Sequence, residues 1–152
     1  LYRYIHENHL KEMKVLEGAG DVVRFLAAKG IPMGVVSNKR HDVLRREVEH
    51  LGWAPYFGVY NGAGVAAADK PSGEPLRHAL REHEAGLDVS EILYVGDTES
   101  DLGCAKDAGC PVAFIRHGKD HQALMEKYRP AHVVDTLPEL KEKLIEMLEN
   151  PA

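Results

Sequence analysis

Asp97 and Asp101 stand four residues apart in the stretch LYVGDTESDLGCAKDAG (93–109), where an apolar run meets a helical pattern. That spacing puts the second acid on the first turn of a helix, facing the first. The pair either complements the positive end of the helix or holds a cation. Two further groups could join it. Ser37 closes the apolar run MGVVS, and Lys70 lies in the loop AAADKPSGEP. Taken singly, Ser37 reads as a helix N-cap and Lys70 as a solvated lysine. Taken together, a hydroxyl, an ammonium and two carboxylates suit a phosphoryl group held with a hard divalent cation. Magnesium takes one or two carboxylates and fills its remaining positions with water and phosphate oxygens. In that arrangement Asp97 and Asp101 serve the metal, and Ser37 and Lys70 contact phosphoryl oxygens. Asn38, at the expected start of the next helix, offers a backbone N–H to the same anion.

Such residues can meet only if the fold brings them to one edge. The chain has 152 residues, 44% hydrophobic and 28% charged, the composition of an ordinary globular domain. Short apolar runs rich in β-branched residues alternate with helical stripes. Strands are expected at about 31–36, around YFGVYNGAG, at 92–96, in PVAFIRHG and in AHVVDT. Helices are expected over DVVRFLAAKG, HDVLRREVEHLG, GEPLRHALREHEAG, SDLGCAKDAG, HQALMEKY and LPELKEKLIEML, and residues 1–14 read as a further helix with Leu1, Tyr4 and Ile5 on one stripe. Strands apolar on both faces and alternating with helices predict a doubly wound, mostly parallel α/β sheet with helices on both faces. Ligands of such sheets bind beyond the carboxyl ends of the strands, where Ser37, Lys70 and Asp97 fall.

The net charge of −5 and scattered basic residues argue against a nucleic-acid partner. No apolar stretch is long enough to span a membrane. The first residues lack the apolar core of a secretory signal. Cys104 and Cys110 form no CxxC pair and are expected to be reduced thiols of a cytoplasmic protein. Cys104 falls within a helix, as a core residue rather than a nucleophile. His117 and His121 are too few for a zinc site; His117 follows a strand end and could line the rim of the site. Trp53 and Tyr56 are expected to pack as a corner after the helix stop at Gly52.

VVSNK (35–39), KP (70–71) and VGDTESD (95–101) followed by AKDAG (105–109) resemble, in order and spacing, motifs two to four of the haloacid dehalogenase-like hydrolases. The SNK and GDxxxD forms are similar to the phosphoglycolate-phosphatase-type branch. The resemblance runs from about Val15 to the end, and implies a Rossmann-like core over 15–152 with residues 1–14 as the end of an inserted helical cap. It also implies a magnesium-dependent phosphoric monoester hydrolase for small phosphorylated metabolites. An aspartate attacks phosphorus, and a second aspartate two residues later serves as acid and base. Ser37 grips the phosphoryl group, Lys70 stabilises its charge, Asp97 binds the metal, and Asp101 orients metal waters or Lys70.

The family's first motif is an Asp-x-Asp pair on the first strand, and this chain contains no Asp-x-Asp. That absence, the missing initiator Met and the cap-like start make the carboxyl-terminal portion of a longer hydrolase the expected reading, inactive by itself. Gly73 stands where the family often has a further proline, so a less stiff loop is expected. A sugar phosphomutase on the same core and a catalytically inactive phosphate-binding module are the alternatives. A receiver-type signalling domain fits less well, because its acids precede its lysine along the chain.

Overall fold

The computed structural model describes residues 2–4, 13–15, 17–83 and 86–149, the first two segments as backbone alone. Those two segments are short strands, β1 (Tyr2–Tyr4) and β2 (Met13–Val15), paired antiparallel with Arg3 opposite Lys14. They do not form the helix expected over 1–14. Tyr and Val favour extended backbone, and ladder pairing supplies the hydrogen bonds that a helix would have made internally. Leu1 and Ile5, two of the three residues of the expected stripe, lie outside the described residues.

From residue 19 onward helices and strands alternate as expected: α1 (Ala19–Ala28), β3 (Gly34–Arg40), α2 (His41–His50), β4 (Val59–Ala63), α3 (Glu74–Glu82), β5 (Tyr94–Gly96), α4 (Glu99–Ala108), β6 (Val112–Ile115), α5 (Gln122–Tyr128), β7 (His132–Val134) and α6 (Leu137–Glu149). The strand expected at 31–36 begins later and runs further. Gly34 is its first paired residue, opposite Val59, and Pro32 before it has no N–H for a ladder. Among the described residues no helix is long and apolar enough to cross a membrane.

β3 pairs parallel with β4, and β5, β6 and β7 form a second parallel set in that order. Both sets contribute to the same two cores. Val35 of β3 and Val95 of β5 pack into one core with α1, α2, α6, Ala113 and Ile115. Val36 and Tyr94, their neighbours on the opposite face, pack into a second core with Leu76, Leu102, Cys104 and Phe114. Alternate residues of each strand thus feed cores on opposite faces, as a doubly wound sheet requires. β6 is flanked on both sides and all four of its residues are buried. β5 has Val95 and Gly96 only half-buried, and no residue of β3 is fully buried. The difference has a topological cause: among the described residues β3 pairs only with β4 and β5 only with β6, so each has one edge without a ladder. Trp53 packs in the first core, as expected of the corner after Gly52, with Tyr56 beside it.

Candidate active site

Three carboxyl-terminal strand ends converge on one lysine. Lys70, in the loop after β4, places Nζ 2.6 Å from Asp101 Oδ1 and 3.4 Å from the carbonyl of Val36. Val36 ends the regular ladder of β3, and Asp101 lies on the first turn of α4 just after β5. One ammonium therefore spans the ends of the two strand sets. The side chains of Lys70 and Asp101 retain only 10% and 9% exposure, so this is a buried ion pair.

Asp101 is held from every side. Its Oδ1 accepts from Lys70 and from the Tyr94 hydroxyl at 2.9 Å. Its Oδ2 accepts from the backbone N–H groups of Asp97 and Thr98 at 3.0 and 3.2 Å, and from the Thr98 hydroxyl at 2.9 Å. Thr98 Oγ1 accepts in turn from Asp101 N at 3.2 Å, completing a capping box that starts α4. Burial alone would raise the Asp101 pKa. The adjacent Lys70 charge, its hydrogen bond, the Asp97 N–H and the Tyr94 hydroxyl outweigh that, and hold the carboxyl below the usual carboxylate range. Burial first, then the Asp101 charge, pushes the Tyr94 phenol far above its ordinary value, so it remains a donor. The helix-end reading of the acid pair is thus correct for Asp101, whose oxygens are already taken up by protein donors.

Asp97 differs. Its Oδ2 meets His117 Nε2 at 3.0 Å, and its other oxygen has no partner among the described residues. Its side chain is 33% exposed at the strand end. A free carboxylate oxygen facing solvent fits a hard cation that draws its other ligands from water and phosphate. Among the described residues no group of three or more His, Cys, Asp and Glu side chains could hold a metal ion. This chain therefore fits magnesium as the donor of one carboxylate, not as a cage. His117 adopts a left-handed backbone, φ 55°, beside Gly118, and its ring meets Asp97. His121 instead turns edge-on to Phe114, 5.3 Å between ring centres.

Ser37 is half-buried where β3 loses its regular register. The residues between Val36 and Arg40 outnumber those between Asn61 and Ala63 on β4, and they bulge from the ladder. Ser37 Oγ accepts from Lys39 N at 3.1 Å, a local turn rather than a cap of α2, which begins at His41. Asn38 likewise belongs to β3 and does not open the next helix, so the helix-terminus argument for its N–H fails. Its carboxamide instead bonds the backbone of Lys70, donating to Lys70 O and accepting from Lys70 N, both at 2.9 Å. Lys39 directs Nζ to both oxygens of the fully buried Glu47 at 3.0 Å.

The loop after Lys70 is pinned by α4. Gly73 donates its N–H to Asp107 Oδ2 at 2.7 Å, and Arg77 reaches the same oxygen at 3.2 Å. A Cβ on Gly73 would lie 2.8 Å from Ala108 N, and one on Gly103 would lie 2.7 Å from Pro71 Cβ. The loop is therefore tied down where a less stiff one was expected. A proline at 73 could not make the bond to Asp107. Gly96 is similarly required, since a Cβ there would collide with the Asp101 side chain. Sequence reading missed Tyr94, Thr98 and Asp107. A tyrosine in a buried strand was the available signal, because its hydroxyl must find a partner.

Cys104 is fully buried, and burial pushes its thiol up; burial takes Cys110 up to about 11. Neither is a thiolate nucleophile at neutral pH. An open hollow of about 580 Å³ between β7 and α6 contains none of the candidate residues.

A family model described as "Haloacid dehalogenase-like hydrolase" matches residues 1–115. A phosphoglycolate phosphatase of Neisseria meningitidis is 34% identical over 122 residues, covering 78% of this chain and 51% of the relative. That of Escherichia coli K12 is 31% identical over 120 residues, 79% of this chain and 47% of the relative. The chain thus spans about half the length of the curated relatives it matches. A crystal structure of a HAD-superfamily hydrolase from Ehrlichia chaffeensis superposes with a TM-score of 0.77 at 25% identity, over 90% of this chain and 60% of that one. A Thermotoga maritima structure provisionally named a beta-phosphoglucomutase gives 0.79 at 17% identity, over 90% and 62%, a likeness of fold.

Proposed function

The chain belongs to the haloacid dehalogenase-like hydrolases, and we propose that it forms the larger part of the core of a phosphatase acting on small phosphorylated metabolites of the phosphoglycolate type. The observation that carries the reading is Lys70 bridging the ends of β3 and β5, beside a carboxylate with one unshared oxygen. A phosphoryl group set there meets the Ser37 hydroxyl from β3, the Lys70 ammonium from the loop and Asp97 from β5. Ser37 donates to a phosphoryl oxygen. Lys70, oriented by Asp101, offsets the negative charge that spreads over these oxygens during transfer. Bound magnesium, held by Asp97, would neutralise the remaining charge on the phosphoryl group. Asp101 acts by fixing Lys70 and the turn that presents Asp97.

The attacking carboxylate comes from polypeptide beyond these residues, on a strand that pairs with the facing edges of β3 and β5. Its oxygen forms a bond to phosphorus as the bond to the substrate oxygen breaks, and the departing alkoxide takes a proton from the second aspartate of the same motif. Water, giving its proton to that second aspartate, then attacks the phosphorus of the aspartyl-phosphate, the bond to the first aspartate breaks, and inorganic phosphate leaves. Residues 1–14 are assigned to the end of a cap that selects the substrate.

The test is hydrolysis of phosphoglycolate and of an aryl phosphate by the complete gene product, with and without magnesium, beside the 152-residue chain. Magnesium-dependent phosphate release by the complete product, absent from the short chain, supports the reading. Turnover by the short chain, lost on a substitution that leaves its fold intact, would place the nucleophile here and refute it. Conversion of β-glucose 1-phosphate without phosphate release would instead identify a phosphomutase.

A further inference from the structure

We propose that Asn38 is a positioning residue for Lys70, setting the ammonium between the Val36 carbonyl and Asp101 through a side-chain clamp on the lysine's own backbone. The proposal rests on the phosphatase reading for its catalytic consequence, but not for its geometry. Asn38 donates Nδ2–H to Lys70 O and accepts Lys70 N–H on Oδ1, each at 2.9 Å, across 32 residues of sequence. The carboxamide thus imitates the peptide group of a neighbouring strand and closes a two-bond ring on one residue. Asn38 is exposed, so packing in the core does not account for it. It directly follows Ser37, so the hydroxyl and the clamp travel on the same bulge of β3.

Before Lys70, Asp69 accepts from Gly64 N at 2.9 Å, a bond to the end of β4; beyond it, Pro71 lies against Gly103 and Gly73 is bonded to Asp107. The latter two fix the loop to α4, and none of the three reaches β3. Asn38 alone among the candidate residues ties the lysine's peptide groups to β3. Lys70 Nζ must reach both Val36 O and Asp101 Oδ1, and its backbone position decides whether it can. Catalytic groups displaced by about 1 Å commonly lose about 100-fold in rate. Removing the clamp should therefore act on turnover through Lys70, with little effect on global stability.

The test uses the complete gene product as wild type, Asn38→Ala, Lys70→Met and the double variant. Expected for Asn38→Ala is a fall in kcat of about 10- to 100-fold with KM changed far less. In the Lys70→Met background the same substitution should have almost no further effect, since the two residues act as one unit. An equal loss in both backgrounds would overturn the proposal, because Asn38 would then act on phosphate or on the fold directly.

A second readout needs no activity. Acetylation of Lys70 by a limiting activated ester, quantified by mass spectrometry against the exposed Lys119, should rise at least about 5-fold in Asn38→Ala as the ion pair loosens. Asn38→Asp keeps the acceptor for Lys70 N but repels Lys70 O, and should fall between. Unchanged Lys70 reactivity in both variants, with melting temperatures equal to wild type, would reject the clamp. If the wild type hydrolyses no phosphate ester, the phosphatase reading fails and the labelling alone decides the clamp.

Discussion

Lys70 Nζ and Asp101 Oδ1 lie 2.6 Å apart, both side chains nearly buried, although 31 residues of chain separate them. The pair joins a loop that follows β4 to the helix that follows β5. Around it the Tyr94 hydroxyl, two backbone N–H groups and the Thr98 hydroxyl supply the hydrogen bonds that a buried carboxylate needs. It is therefore a structural tie between two strand sets, and it fixes the Lys70 ammonium that the proposed mechanism sets against the phosphoryl group.

Removing one partner should be costly. Asp101→Ala leaves a buried ammonium unpaired and opens the capping box, and is expected to destabilise the protein by about 3–5 kcal/mol. Urea denaturation of wild type and variant measures this. A loss below about 1 kcal/mol would mean that the pair behaves as a surface contact.

The same pair makes stability depend on acidity. The Asp101 carboxyl is held below its usual range in the folded protein. Its contribution is present above the unfolded carboxylate pKa of about 3.9, and is lost as pH falls through the lower folded value. The stability gap between wild type and Asp101→Asn should therefore be largest near neutrality and shrink below about pH 4. Urea midpoints of both proteins at pH 6 and pH 3 provide the comparison, and a gap that widens on acidification contradicts the assignment.

Asp97→Asn separates metal binding from folding. The Asp97 side chain makes no bond within α4, whose cap is Thr98. In the complete gene product the substitution should leave the melting temperature nearly unchanged while weakening magnesium binding and turnover by about two orders of magnitude. Normal magnesium affinity measured calorimetrically in the variant would remove Asp97 from the metal site.

Gly103→Val should disturb the site from beneath. The new side chain would press on Pro71, whose Cβ already lies 2.7 Å from a Cβ built at 103. Overpacking of this kind costs about 1–3 kcal/mol, and here it also shifts Lys70 off Asp101. A joint drop in melting temperature and turnover is expected. A variant that loses neither shows that the loop is not seated on α4.

The alternation of strands and helices was legible in the sequence, because local periodicity reports which faces are buried. Ser37, Lys70 and Asp97 were singled out in the sequence because ligands of parallel sheets bind beyond the carboxyl ends of the strands, and Asp101 by its spacing from Asp97. The start of the chain was not legible: a stripe of Leu1, Tyr4 and Ile5 suited a helix, yet Tyr2–Tyr4 pairs with Met13–Val15. Short segments have weak intrinsic preferences, and the partner strand decides. The division of labour within the acid pair also required three dimensions. Spacing makes Asp97 and Asp101 alike. Only packing shows one carboxylate saturated by Lys70, Tyr94 and the Asp97–Thr98 turn, and the other holding an open oxygen. Asn38 is the clearest case. Its neighbours along the chain suggest an anion-binding N–H, but a hydrogen bond across 32 residues depends on where β3 and the Lys70 loop come to rest. Sequence periodicity sets which side of an element is buried; what a polar side chain then touches is set by the elements that arrive beside it.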